Sequence, residues 1–286
     1  MTGLPSTPGL QITFGAHTDT GRRRTVNEDA HLAELPVFIV ADGMGGHEAG
    51  DRASAAVVEV FRSLLHRAQH SPTGEVTAED VALAVDTAHR AVSSIAVSAA
   101  RGAGSTLTGV VAVRHDGQLR WLVVNIGDSR VYRLLLERLE QITIDHSIAQ
   151  EAVDAGRITR EQMSTFQGRN VITRAVGEEH SRADYWLLPI VTGERLLICS
   201  DGLTGELTDE ALRAGLTLGG APGQTAYALV TQAVTAGGRD NVTAIVVDVV
   251  AGGVGAGSDE ITGGLSSSAS TTMEVATVQS SRRRRG

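Results

Sequence analysis

Lysine is missing from the 286 residues; all 25 basic side chains are arginine. That pattern follows from a GC-rich coding sequence and carries no functional reading. Cysteine is nearly absent. Cys199 stands alone, which excludes an internal disulfide framework and any cysteine-built zinc site. Aromatic residues make up only 3%, so Ala, Val, Leu and Ile must fill the core. No apolar run reaches the roughly 18–20 residues of a membrane span. Met1 to Gly9 shows no positive stretch followed by an apolar one, so no signal peptide is expected and a cytoplasmic protein is the default. Basic charge is also short: 33 acidic residues leave a net −8. An acidic chain lacks the basic face that phosphate neutralisation needs, which argues against nucleic-acid binding. It suits cation binding better.

The hydrophobic fraction of 42% and a mean hydropathy of zero read as globular. Half of the residues from 251 to 286 are Gly, Ser or Thr. Such a stretch buries too little surface to offset its ordering entropy, so a disordered tail is expected there, closing on Arg282-Arg283-Arg284-Arg285. The expected folded body is residues 10–250. Within it Val37–Ala41 reads as a strand. A helix is expected over about 50–67, with Ala53, Ala56, Val57, Val60, Phe61, Leu64 and Leu65 on one face. A second helix is expected over 78–98, capped by Thr77, with Val81, Ala84, Val85, Ala88, Val92 and Ile95 buried. Strands follow at 107–113, 119–124 and 131–136. Asp116-Gly117 is a two-residue hairpin signal, so these strands should be antiparallel. A short helix over 147–155 should stop at Gly156. A strand is expected at 195–199, then a helix from Pro222 to Ala236, then a last strand at 243–250. Helices beside antiparallel strands suggest an α+β layered sandwich.

Two of these strands run into Asp-Gly: Val37–Ala41 into Asp42-Gly43, and Arg195–Ser200 into Asp201-Gly202. A buried strand that ends in a carboxylate is costly unless the charge is paired or metal-bound. The glycine would permit a sharp turn and a close carbonyl approach. Asp128 sits between two strands, Asp240 lies just before the last strand, and Glu28-Asp29 lies near the N-terminus. Each Asp taken singly is more often a turn former. Four at strand ends, without Cys or patterned His, point to hard cations: Mg²⁺, Mn²⁺ or Ca²⁺.

Eight segments in order then carry a resemblance: Arg24-Thr25-Val26-Asn27-Glu28-Asp29, Asp42-Gly43-Met44-Gly45-Gly46-His47, Gly104-Ser105-Thr106-Leu107, Gly127-Asp128-Ser129-Arg130, Asp145-His146-Ser147, Ile172-Thr173-Arg174-Ala175-Val176-Gly177, Ser200-Asp201-Gly202-Leu203 and Asp240-Asn241-Val242-Thr243. The chain resembles the bacterial type of the metal-dependent protein phosphatases (type 2C, PPM). The resemblance implies a four-layer αββα sandwich, two antiparallel sheets flanked by helix pairs. It implies hydrolysis of phosphoserine and phosphothreonine in proteins by a hydroxide bridging two divalent cations, Mn²⁺ or Mg²⁺, with a possible third ion. Asp42, Asp201 and Asp240 would be the catalytic carboxylates. Asp42 would bridge two metals, the Gly43 carbonyl would bind one of them, and Asp201 and Asp240 would complete the other. Asp128 with Asp201 would hold the third. Glu28 and Asp29 would act through metal-bound water, and Arg24 would bind the substrate phosphate. The physics is compatible. Cations about 3.5–4 Å apart activate a shared water and clamp an in-line displacement, and an arginine fork pairs with two phosphate oxygens.

Eukaryotic relatives usually carry His after the Asp-Gly, where this chain has Met44. The proton donor is therefore unassigned, with a metal-bound water as the implied source. His47 and His146 are read as ordinary hydrogen-bonding residues. Residues 145–182 correspond to the family's variable flap. Implied partners are phosphorylated proteins, Ser/Thr kinases and their substrates. Two other readings are weighed: a catalytically weak, metal-binding module that recognises phosphoproteins, and a phosphatase of small phosphate esters. A dinucleotide loop at Gly43–Gly46 is set aside because Asp42 would repel pyrophosphate. A serine hydrolase is set aside because Ser200-Asp201-Gly202 is no nucleophile elbow.

Overall fold

Side chains along a strand point alternately to its two faces, and that alternation builds the layers here. The computed structural model describes residues 9–45, 49–100 and 102–257. In chain order the elements are β1 (Gln11–Asp19), β2 (Asp29–Glu34), β3 (Val37–Met44), α1 (Gly50–His70), α2 (Ala78–Ser98), β4 (Gly104–Ser105), β5 (Leu107–His115), β6 (Gln118–Ile126), β7 (Arg130–Leu135), β8 (Arg138–Gln141), α3 (Ile148–Asp154), β9 (Asp184–Pro189), β10 (Arg195–Cys199), α4 (Asp201–Thr204), α5 (Asp209–Leu218), α6 (Pro222–Ala236) and β11 (Val242–Ala251), with a 3-10 helix at Arg160–Thr165.

One sheet runs β1-β11-β10-β7-β8; the other runs β2-β3-β5-β6-β9, with β4 paired to β3. Every pairing is antiparallel. In β3, Val37, Ile39 and Ala41 pack under α1 and α2, and Phe38 and Val40 face the other sheet. In β11, Ala244 and Val246 pack under α5 and α6, and Ile245 and Val247 face inward. Three apolar layers therefore lie between four layers of secondary structure: helix, sheet, sheet, helix. The fold is the α+β αββα sandwich that was expected.

Both expected helices on the first face are present. α1 runs one turn further than its pattern, and Thr77 caps α2 in a reciprocal box with Asp80. Ala56, Val60 and Ile95 are half-buried rather than buried. At the hairpin, Asp116 and Gly117 both take positive φ, 48° and 75°, as a two-residue turn matching the strand twist requires. The three strands expected at 107–136 are antiparallel as expected but divide between the sheets: β5 pairs with β6, and β7 crosses over to pair with β10 and β8. The crossing happens at Gly127-Asp128-Ser129. Beyond β11 the chain bridges Val254 to Val191. Residues 258–286, with the arginine run, and His47 lie outside the described residues.

Candidate active site

The same parity that builds the core aims the carboxylates. Asp42 follows Phe38 and Val40 in the two-residue repeat and so points into the seam between the sheets. Asp29 sits directly across from it in the β2–β3 register. From the other sheet, Ser200 continues the inward parity of Leu196 and Ile198, and Thr243 that of Ile245 and Val247. Strand ends from both sheets thus meet at one end of the sandwich.

A hydrogen-bond network holds this meeting point. The Asp29 carboxylate accepts from Thr243 Oγ1 at 2.7 Å and Ser200 Oγ at 2.8 Å through one oxygen, Oδ2. The Asp42 amide donates to Thr106 Oγ1 at 2.9 Å, and the Thr106 amide donates back to the Asp42 carbonyl at 2.8 Å. Thr106 also meets Ser129 beside Asp128, at 2.9 Å. Asn241 staples the N-terminal loop to β11. Its Oδ1 accepts from the Glu28 amide at 2.9 Å, and its Nδ2 donates to the Thr20 and Val26 carbonyls. Ser200, Thr243, Thr106 and Asn241 received no role from the sequence. Each lies inside a segment quoted above, and its hydroxyl or amide beside an acid was the available signal.

The two Asp-Gly glycines serve a purpose other than a turn. Gly43 is still in β3, and a Cβ on it would collide with the Gly50 carbonyl at the start of α1. A Cβ on Gly202 would collide with the Asn241 carbonyl. Close backbone packing, which only glycine permits, sets helix and strand against each other beside the site.

The carboxylates line one cleft of about 590 Å³ that contains Asp42, Asp128, Asp201, Asp240, Glu28 and the Gly43 backbone, with Arg23, Arg24 and Met44 on its walls. Asn170 and Ile172 enter it from the flap. Asp29 stands one step behind, opposite Asp42. Burial first, then mutual repulsion, raises Asp42 and Asp128 well above the usual carboxylate range. Burial also raises Asp201, with repulsion from Asp240 added. Asp29 is pushed up to about 7 by burial, against the pull of its two hydroxyl donors. Glu28 Oε1, Asp29 Oδ1 and Asp201 Oδ1 are buried with no hydrogen-bond partner. Buried acceptors without donors are a costly arrangement that a cation relieves. The donor set is all oxygen, which fits Mg²⁺ or Mn²⁺.

Among the described residues no three acidic, His or Cys side chains are gathered tightly enough to hold an ion as they stand. Asp42, Asp201 and Asp240 share the cleft. Arg24 Nη2 donates to Asp240 Oδ2 at 2.7 Å. A cation here would use pairs of carboxylates, a backbone carbonyl and water, the sparing coordination that Mg²⁺ favours.

The reading of His146 agrees with the structure. His146 Nδ1 accepts from the Gly127 amide at 3.1 Å, which places its proton on Nε2, toward Asp184 Oδ2 at 3.1 Å. It ties the flap to the Asp128 loop. Cys199 is buried under α5 and α6, and burial pushes its thiol up to about 12, so it is an inert packing residue.

Comparison with known proteins gives the same picture. A family model described as Protein phosphatase 2C matches residues 18–218. The chain is 35% identical over 247 residues to the serine/threonine protein phosphatase PstP of Mycobacterium tuberculosis, covering 84% of this chain and 46% of that protein. It therefore spans about half the length of that relative. It is equally similar, at 35%, to the serine/threonine phosphatase Stp of Listeria innocua, covering 81% of this chain and 93% of the relative. The solved structure of the M. tuberculosis phosphatase PstP/Ppp superposes with a TM-score of 0.75 at 32% identity, over 83% of this chain and 98% of that one. A structure of the PstP catalytic domain with two manganese ions matches with a TM-score of 0.72 at 32% identity, over 85% and 99% of the two chains. The seam of acids between two sheets, the ordered motifs and the family match agree, and the chain belongs to the protein phosphatase 2C family.

Proposed function

We propose that this chain is a metal-dependent phosphatase that hydrolyses phosphoserine and phosphothreonine in proteins. The observation that carries the reading is the convergence of Asp42, Asp128, Asp201 and Asp240 on one cleft that also holds Arg24. Asp42, Asp201 and Asp240 are the proposed catalytic carboxylates and metal ligands, together with the Gly43 carbonyl. Asp128 with Asp201 is the proposed third position. Two divalent cations, when bound, would supply the nucleophile as a hydroxide shared between them. Mn²⁺ or Mg²⁺ is the proposed ion, and the PstP structure named above, which carries two manganese ions, supports a two-ion site.

The chain's own groups do the rest. Glu28 and Asp29 would accept hydrogen bonds from water held by the cations, and Ser200 and Thr243 fix the Asp29 carboxylate in place. Arg24 binds the phosphate. Its present partner Asp240 is 34% exposed and Arg24 itself 47%, so the pair is weakly held. Asp240 would hold a cation when one is bound, and the Arg24 guanidinium fork would then turn to the substrate phosphate. His146 and Met44 are not assigned as the acid, and coordinated water is the proposed proton source. Phosphorylated proteins, including Ser/Thr kinases and their targets, are the proposed partners, and the cytoplasm the proposed location. No described helix is long and apolar enough to cross a membrane.

The test is phosphate release from a phosphothreonine peptide and from p-nitrophenyl phosphate with Mn²⁺, with and without EDTA. Turnover should require Mn²⁺, and Asp42→Ala should abolish it. A folded, Mn²⁺-bound protein that releases no phosphate would instead be a recognition module. A preference for sugar phosphates over the peptide would make it a small-ester phosphatase.

A further inference from the structure

The lip of the cleft carries one cation that the roles above leave unused. Arg23 and Arg24 line the cleft, and Arg22 and Arg239 are the sequence neighbours of Arg23 and Asp240. Arg24 is engaged by Asp240 at 2.7 Å and Arg239 by Glu206 at 2.8 Å. The Arg22 stem runs past Gly238, and its amide is tied to the Gly238 carbonyl at 2.7 Å. Among the described residues Arg23 differs from Arg24 and Arg239 in having no carboxylate partner, and from Arg22 in lining the cleft. It is exposed, it lines the cleft, and among the described residues no carboxylate pairs with it.

We infer that Arg23 reads an acidic side chain beside the phosphorylated residue, so that the substrate class is an acidic phosphopeptide. This rests on the phosphatase reading above and deepens it. The spacing supports it. Neighbouring Cα atoms are about 3.8 Å apart, and an extended peptide advances about 3.3 Å per residue. With the phosphate on Arg24, a carboxylate one or two residues along the peptide comes within the span of the Arg23 side chain. The guanidinium fork matches a carboxylate through two parallel hydrogen bonds. Electrostatics makes the assignment specific. Cations on the cleft floor would be taken up by the acids and the phosphate, so a carboxylate beside the phosphate needs a lip guanidinium that no protein carboxylate has neutralised. Arg23 meets that condition, while Arg24 and Arg239 are already engaged. The flap residues Asn170 and Ile172 bound the same cleft and lack the charge to substitute for it.

The test uses the full chain loaded with Mn²⁺ and two phosphothreonine peptides that differ only in Glu against Gln at the two residues on either side. The kcat/KM ratio, Glu peptide over Gln peptide, should be about 2–5, the size of an exposed pair, and should shrink toward one as salt rises to about 1 M. Arg23→Ala should bring the ratio to one, Arg23→Lys should keep part of it, and Arg23→Glu should turn it below one. A wild-type ratio of one or less, or a ratio unchanged in Arg23→Ala, overturns the inference. If wild-type protein hydrolyses p-nitrophenyl phosphate and both peptides without discrimination, the Arg23 assignment alone fails. If it hydrolyses none of them, the phosphatase reading fails and takes this assignment with it.

Discussion

Arg24 and Glu194 show how a single charge acts differently at a rim and in a core. Arg24 lies half-exposed at the cleft, so its loss should spare the fold. Arg24→Ala should raise KM for a phosphothreonine peptide by about tenfold, the scale of a charged hydrogen bond, with kcat much less affected; an unchanged KM would remove its phosphate role. Glu194 lies far from the site, 1% exposed between the sheets. Its Oε1 accepts from Trp121 Nε1 and the Val191 amide, and its Oε2 has no partner. Burial raises it to about 7, from an ordinary value of about 4.3. A carboxyl raised in this way stabilises the fold most when protonated. That contribution is complete below about pH 4 and is lost as pH climbs through about 7. Glu194→Gln should therefore melt above wild type at pH 8, and the gap should close by pH 5. Equal melting temperatures at pH 8 would show the charge to be tolerated.

Among the elements, the junction of β3 with α1 is the least forgiving. Gly43 has no room for a methyl because the Gly50 carbonyl occupies it, and backbone cannot rotate away as a side chain can. Gly43→Ala should cost about 1–3 kcal/mol of stability, the usual range for overpacking, read as a lower urea midpoint with unchanged slope. The helices α1, α2 and α6 were legible because their buried faces repeat at 3.6 residues and their ends carry caps or Gly. The strands β1, β2 and β9 were not. β1 is a sheet edge with mixed polar residues and only partial burial, and β2 buries Leu32 alone. α5 had a signal that went unread: Thr208 at its cap, with Leu212 and Leu216 one turn apart. The switch of β7 to the second sheet has no local signature, since it depends on pairing with a strand some 60 positions on. The site shows the same divide. Its acids were legible as ordered motifs, but the hydroxyls holding Asp29 come from residues about 170 and 214 positions away. Nothing in a local window joins them.

For the whole molecule, the consequence is a stability that depends on ions and pH together. Asp29, Asp42, Asp128 and Asp201 are all raised by burial. In EDTA they should favour the fold when protonated, so the melting temperature should fall as pH rises above the ordinary carboxylate range, with the Asp29 contribution lost through about 7. Saturating Mn²⁺ binds the ionised form and should raise the melting temperature, most at the alkaline end, by mass action. A metal-independent melting profile at pH 8 would contradict the cation reading. The acids also sit where two sheets meet, Asp29 and Asp42 on one side and Asp201 and Asp240 on the other. Without a cation, their repulsion works as a wedge driven into the open end of the sandwich. With one, the same atoms become a clasp. The force needed to shear the two sheets apart is then set by what occupies the cleft, so a single-molecule pulling trace reads ion occupancy directly, with no substrate present.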